Sequence, residues 1–147
     1  MTVEAAVIAV GREEGRRAQR LAEIGVDLAE AGAEITLVHA FETAETANET
    51  AERLGLADGS AADLARRLDS VRQVVRALEE SGVSVDVDGR VGNPGAAVAS
   101  VAADLAADRV VVGGQNRSPT GKAVFGSTAQ DVLLSAPCPV TFVRQSE

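Results

Sequence analysis

The chain alternates short apolar runs with longer segments in which apolar residues recur at helical spacing. The run AAVIAV is continuously apolar, which is typical of a strand covered on both faces. The segment VSVDVDGRV alternates apolar and polar residues, so we expect it nearer the edge of a sheet. The predicted strands are Ala5–Val10, Glu34–Ala40, Val83–Val91, Arg109–Gly113 and Val140–Arg144.

Helices are predicted between these strands. Apolar positions recur every three or four residues in Glu13–Ala31, which predicts a helix. The same spacing in Ala61–Ser81 predicts a second, single long amphipathic helix. The polar region Glu42–Ser60 is interpreted as a loop with a short helix. Pro94 suits the first position of a helix that runs to about Ala107, and the last helix is predicted to begin near Ser127.

This order of elements predicts an α/β fold: an open five-stranded parallel sheet with helices on both faces, in a single domain over residues 1–147. Ligands of such sheets bind beyond the carboxyl ends of the strands, where the strand order reverses. The segments GREEG, HAFE, VGNPG and GGQNRSPTGKAVFGST should therefore share one rim.

Composition and charge exclude several classes of function. A net charge of −8 opposes nucleic-acid binding, which depends on neutralising phosphates with Lys and Arg. The single cysteine, Cys138, cannot form an internal disulfide. No apolar run approaches the roughly 20 residues that span a bilayer, and the first residues lack the charged start of a signal peptide. We therefore expect a cytoplasmic protein with no membrane partner.

The segment RVVVGGQNRSPTGKAVFGST carries the candidate chemistry. Glycines at both ends of its loop allow the backbone to approach a ligand, and the first amides of the following helix have no partner within the helix. A phosphate fits such a helix start, and Arg117 and Lys122 could add positive charge. The alternative is that Ser127 and Gln130 form an ordinary capping box that needs no ligand.

The span GGQNRSPTGKAVFGSTAQDVLLSAPCPVTFV resembles the C-terminal signature of the universal stress protein family, and the resemblance extends through the opening strand and the VGNPG turn. In nucleotide-binding members the signature is Gly, two residues, Gly, nine residues, Gly, then Ser or Thr. Gly113, Gly126 and Ser127 match it, while Asn116 stands at the second glycine. Family members that bind ATP usually carry Asp just after the first strand, where this chain has Gly11.

The resemblance implies a Rossmann-like domain of the adenine nucleotide alpha hydrolase-like type that binds ATP or a related adenine nucleotide and regulates a stress response. Because the protein carries a net charge of −8, we expect Mg²⁺ to accompany the phosphates. It places the base near the ends of the first two strands and the phosphates along the glycine-rich loop and the last helix. The implied binding residues are Ala9, Val10, Gly11, Val38, Gly113, Asn116, Arg117, Gly126, Ser127 and Thr128.

The resemblance also implies a homodimer, because the final strand of universal stress proteins typically pairs with its copy in a second subunit. Here that strand is Val140–Val143. A short apolar strand at the edge of a sheet readily pairs with another chain.

Two other functions stay open. The first is a stress-response scaffold that has lost the nucleotide, which Gly11 and Asn116 favour. The second is a slow ATPase, for which His39 is the only candidate base, although a lone histidine is more often a packed residue. The chain has neither a Walker A loop nor the glycine pattern of a dinucleotide site, and no catalytic or metal-binding set is predicted.

Overall fold

A computed structural model describes residues 3–13, 15–113 and 126–144. The strands form one parallel sheet in the order β3-β2-β1-β4-β5. Their bounds are β1 Ala5–Ala9, β2 Glu34–Phe41, β3 Val85–Val91, β4 Arg109–Gly113 and β5 Val140–Val143. The predicted α/β fold with an open five-stranded parallel sheet is therefore confirmed.

Helices connect the strands, and several begin at a side chain that accepts a hydrogen bond from the first turn. Thr43, Ser60 and Asn93 each accept from the amide three residues later. Pro94 occupies the first helical position that the sequence predicts. The helices are α1 Arg16–Glu30, α2 Ala44–Leu54, α3 Ala61–Arg67, α4 Asp69–Glu80, α5 Pro94–Asp104 and α6 Ser127–Ser135.

The helices cover both faces of the sheet, and β1 shows how the sequence separates the two layers. Ile8 packs in the cluster that includes α1 and α4, whereas Val7 and Ala9 pack with α5 and α6. Successive side chains of a strand point to opposite faces, so an unbroken apolar strand is needed between two helical layers.

The predicted single helix over Ala61–Ser81 is wrong, because the chain leaves the helical conformation at Leu68, with φ −71° and ψ 139°. No Pro or Gly marks the break. α3 lies so close to β3 that a Cβ on Gly89 would overlap the carbonyl of Ala61. α4 instead packs in the cluster formed with α1. The continuous amphipathic pattern therefore forms two helices, because α3 packs on β3 and α4 packs on α1.

β1 lies between β2 and β4, so the strand order reverses at this point. The parallel register brings the carboxyl ends of these strands to the same edge of the sheet. Among the described strands, β3 and β5 are the two edges, as the sequence predicts. Among the residues that the structure describes, no helix is both long and apolar enough to cross a membrane.

Candidate functional site

A cleft of about 530 Å³ opens at the carboxyl ends of β1, β2 and β4. It lies where the strand order reverses, which is the usual position of a ligand in open α/β sheets. Its volume falls in the range of about 300–1,000 Å³ that is typical of small-molecule sites. Its described lining comes from the ends of these strands, the turn before α1, and the first residues of α5 and α6.

The cleft brings together most of the residues predicted from the sequence. Those that line it are Ala9, Val10, Gly11, Val38, Gly113, Gly126 and Thr128. Ser127 is exposed and is not among the lining residues. Asn116, Arg117 and Lys122 lie outside the described residues.

The turn between β1 and α1 forms one wall of the cleft and is held by hydrogen bonds from α4. Ser70 Oγ donates to the carbonyl oxygen of Gly11 at 2.8 Å, and the Gly15 amide donates to Gln73 Oε1 at 2.9 Å. Gly15 has φ 57°, a left-handed conformation that glycine adopts without the strain of a Cβ. The wall is therefore anchored at both ends to a neighbouring helix.

Glu13 lies within this turn and lines the cleft. The Gly11 amide donates to Glu13 Oε2 at 2.6 Å. Burial raises the pKa of the Glu13 carboxyl, while the backbone amides and the charge of Arg17 act in the opposite direction. The site thus contains a half-buried carboxyl group beside the backbone of Gly11.

His39 occupies the end of β2 and also lines the cleft. Its Nδ1 lies 2.8 Å from the carbonyl oxygen of Val10, which can only accept, so Nδ1 carries the proton. Burial lowers the pKa of His39, an effect opposed by this carbonyl and reinforced by Arg12. The neutral ring keeps its second nitrogen, Nε2, as an acceptor, and its edge contacts Phe41 at a centroid distance of 4.8 Å.

The opposite wall contains the start of α6. Its N-cap is Gly126, with φ −69° and ψ 165°, and glycine has no side chain to accept from the first amides. Ser127 is the first helical residue, so the predicted capping box of Ser127 and Gln130 is wrong. The Gln130 amide donates to the carbonyl of Gly126 instead. This helix start resembles those of α1 and α4, which also lack a side-chain cap, and differs from those of α2, α3 and α5, where a side chain fills the cap.

Several lining residues were not predicted as site residues: Arg12, Glu13, Arg17, Phe41, Glu42 and Pro94. The sequence indicated some of these positions, because the GREEG and HAFE segments follow strands and should reach the ligand rim. The direction of each side chain depends on the turn geometry, which the pattern alone does not give. Within the described ranges, no group of three or more His, Cys, Asp or Glu is placed to hold a metal ion.

The fold and the cleft define an α/β protein with a ligand site at the reversal of strand order. The sequence model of the universal stress protein family matches residues 6–144, so the chain belongs to this family. A universal stress protein from Mycolicibacterium smegmatis is 35% identical over 79 residues, which cover 53% of this chain. The matched segment spans 61% of the length of that curated relative.

Solved structures of the same family have a similar fold. A universal stress protein from Archaeoglobus fulgidus has a TM-score of 0.74 at 25% identity, covering 95% of this chain and 97% of its own. The Archaeoglobus fulgidus structure in complex with dAMP has a TM-score of 0.68 at 21% identity, covering 97% and 98% of the two chains. These likenesses confirm the Rossmann-like α/β fold.

Proposed function

We propose that the chain is a regulatory module that binds an adenine nucleotide in this cleft as part of a stress response. The observation that carries the proposal is the position of the cleft, between the carboxyl end of β1 and the start of α6, whose N-cap is Gly126. The relative from Archaeoglobus fulgidus was solved with dAMP, which supports an adenine nucleotide as the ligand.

The lining suggests how the nucleotide would lie. Val10 and Val38 are buried, and Val98 and Val112 add further apolar surface, which suits the faces of a purine ring. The start of α6 offers amide hydrogens and the positive end of a helix dipole, which suit phosphate oxygens. We place the base and sugar near the first group and the phosphates towards Gly126.

The number of phosphates that the site can hold depends on which residues contact them beyond the start of α6. We propose ATP as the ligand, with Gly113, Ser127 and Thr128 near the phosphates and with Asn116 and Arg117 contributing from the outer loop. Mg²⁺ would accompany the phosphates, because the protein carries a net charge of −8 and the cation reduces repulsion. A titration of AMP, ADP and ATP, each with and without Mg²⁺, distinguishes these ligands.

The direct test is to denature the purified protein and identify any adenine nucleotide released into the supernatant by chromatography. Calorimetry of the nucleotide-free protein with AMP and with ATP and Mg²⁺ then gives the affinity. No heat with any adenine nucleotide at millimolar concentration would contradict the proposal. That result would favour the scaffold that Gly11 and Asn116 also allow.

We propose binding rather than catalysis. His39 is the one candidate base from the sequence, and its Nδ1 proton is committed to the carbonyl of Val10. A base needs its free nitrogen beside the attacking water, and the cleft places no described carboxylate in an evident relay with His39. ATP turnover by the wild-type protein that disappears in His39→Ala would show instead that the protein is a slow ATPase.

We propose a homodimer that forms through β5. This strand lies at the edge of the described sheet, and Leu134 on the neighbouring α6 is 87% exposed. Leu134→Glu should weaken the dimer in light scattering, whereas Leu105→Glu, at an exposed leucine beyond α5, should not. A wild-type monomer at micromolar concentration would contradict this part of the proposal.

A further inference from the structure

We propose that Glu13 recognises the ribose hydroxyl groups of the bound nucleotide. The inference rests on the proposed function, since it assigns one residue of the cleft to one part of that ligand. The chain has glycine two residues after the end of β1, so residue 11 cannot supply a carboxylate itself. The structure shows a carboxylate at nearly the same place, from the residue two positions later.

The position of the Glu13 carboxyl group carries the argument. A Cβ placed on Gly11 would lie 3.5 Å from Glu13 Oε2 and 3.7 Å from Oε1, with no closer neighbour. The carboxyl group therefore fills the space into which a short side chain at position 11 would extend. Glu13 also lines the cleft, so this group borders the volume available to a ligand.

The carboxyl group is held in place before any ligand arrives. One oxygen, Oε2, accepts from the Gly11 amide at 2.6 Å. The carbonyl of Gly11 in turn accepts from Ser70, and Gln73 accepts from the Gly15 amide at the other end of the turn. A group fixed in this way loses little conformational entropy on binding, which favours affinity. A carboxylate has about four acceptor positions on its two oxygens, so the group can also accept from a ligand.

The Glu13 carboxylate favours hydroxyl groups over phosphate, while the guanidinium groups of Arg12 and Arg17, which line the same cleft, attract anions. A carboxylate accepts hydrogen bonds from hydroxyls and repels phosphate oxygens. His39, which lines the same cleft, presents its Nε2 as a second acceptor. In dinucleotide-binding sheets an acidic side chain binds a ribose hydroxyl, so a carboxylate suits this part of a nucleotide. A sugar bearing vicinal hydroxyls supplies the donors that both acceptors require.

The test compares AMP with 2′,3′-dideoxy-AMP, which lacks both hydroxyls, by calorimetry on the full chain. We expect the wild-type protein to bind AMP about tenfold more tightly, the effect of a hydrogen bond to a charged group. Glu13→Gln should bring the two affinities close together. Glu23→Gln is the matched control, since Glu23 lies exposed on α1 beside Arg20 and does not line the cleft.

A second variant tests whether the position of the carboxylate, rather than the turn itself, matters. Gly11→Asp combined with Glu13→Gln returns a carboxylate to the same space and should restore the preference for AMP. Thermal melting of each variant reports whether it folds. The wild-type comparison needs no variant, so the inference is tested even if Glu13→Gln fails to fold.

The outcomes separate this inference from the proposed function. Equal binding of AMP and dideoxy-AMP by the wild-type protein would overturn the role of Glu13 and leave nucleotide binding intact. A preference for AMP that persists in Glu13→Gln would do the same. Absence of binding to both nucleotides would overturn the proposed function and this inference with it.

Discussion

The two walls of the cleft differ in how their polar groups are satisfied. In the turn before α1, the carbonyl and amide of Gly11 and the amide of Gly15 are all paired within the protein. At the start of α6, the cap is a glycine with no side chain to accept a hydrogen bond. The first wall thus presents the Glu13 carboxylate, with Arg12 and Arg17 also in the lining, while the second wall presents the first amides of a helix.

This difference fits a ligand whose two ends have opposite requirements. Hydroxyl groups at one end donate hydrogen bonds, and an anion at the other end accepts them. A cleft with only acceptors on both walls would repel phosphate. Substitutions can alter each wall separately.

The largest expected effect comes from Gly95→Ala. A Cβ on Gly95, in the first turn of α5, would overlap the Cβ of Asp131 on α6. Overpacking costs about 1–3 kcal/mol, so we expect a net loss of about 1–2 kcal/mol in unfolding free energy. The displaced α6 should also bind phosphate less well. Urea denaturation and AMP titration measure both effects.

Ser100→Ala is the control for that variant, because Ser100 is exposed on the same helix. It should change the unfolding free energy by less than about 0.5 kcal/mol. A Gly95→Ala protein with wild-type stability and affinity would show that the contact between α5 and α6 does not set the donor wall.

Ser70→Ala acts on the acceptor wall. Ser70 is 8% exposed, and its hydroxyl donates to the carbonyl of Gly11. Removing this hydrogen bond should lower the unfolding free energy by about 1 kcal/mol. AMP binding should weaken as well, because the turn that carries Glu13 loses an anchor. Ser84→Ala, at an exposed position before β3, serves as the control. Equal AMP affinity in both variants would contradict the anchoring role.

A smaller effect is expected from the titration of His39. Burial holds its pKa below the ordinary value of 6.5, so the unfolded chain binds this proton more readily than the folded protein. The stability contribution is present above that value and is lost as the pH falls towards the pKa of the folded state. Thermal melting at about pH 7.5 and about pH 5.5 should show a larger loss in the wild type than in His39→Gln. If the wild type and His39→Gln lose the same stability between these two pH values, the titration of His39 does not contribute to the pH dependence of folding.

Ser127→Ala should have the smallest effect on stability. Ser127 is the first residue of α6 rather than its cap, so we expect a change within about 0.5 kcal/mol. The sequence alone predicts a larger loss, because it assigns the cap to this hydroxyl. A loss of about 1 kcal/mol or more in urea denaturation would indicate a cap after all. The AMP affinity of Ser127→Ala can be compared with that of Thr128→Val, which removes a hydroxyl from the cleft lining.

Most of the fold follows from the sequence because a buried parallel strand needs a continuous apolar run. Ala5–Ala9 and Arg109–Gly113 show this pattern and occupy the centre of the sheet. The break at Leu68 could not be predicted in the same way. Its cause is the packing of α3 on β3 at Gly89, which joins residues distant in the chain.

The sequence predicted those site residues whose place in the cleft depends on the position of the backbone alone. Gly11, Gly113 and Gly126 lie at strand or helix ends, and all three line the cleft. Glu13 was missed, because a side chain that folds back onto an earlier amide leaves no periodic signal. Its partner is two residues away, but its position also depends on Ser70, which lies 59 residues from Gly11.

The most direct test of the central claim is to follow backbone amide resonances by NMR while AMP is added. Our account predicts the largest shifts at both walls together, at Gly11 and Glu13 on one side and at Gly126 and Thr128 on the other. Shifts confined to the arginine-lined groove between α4 and β3, around Arg72, would contradict it.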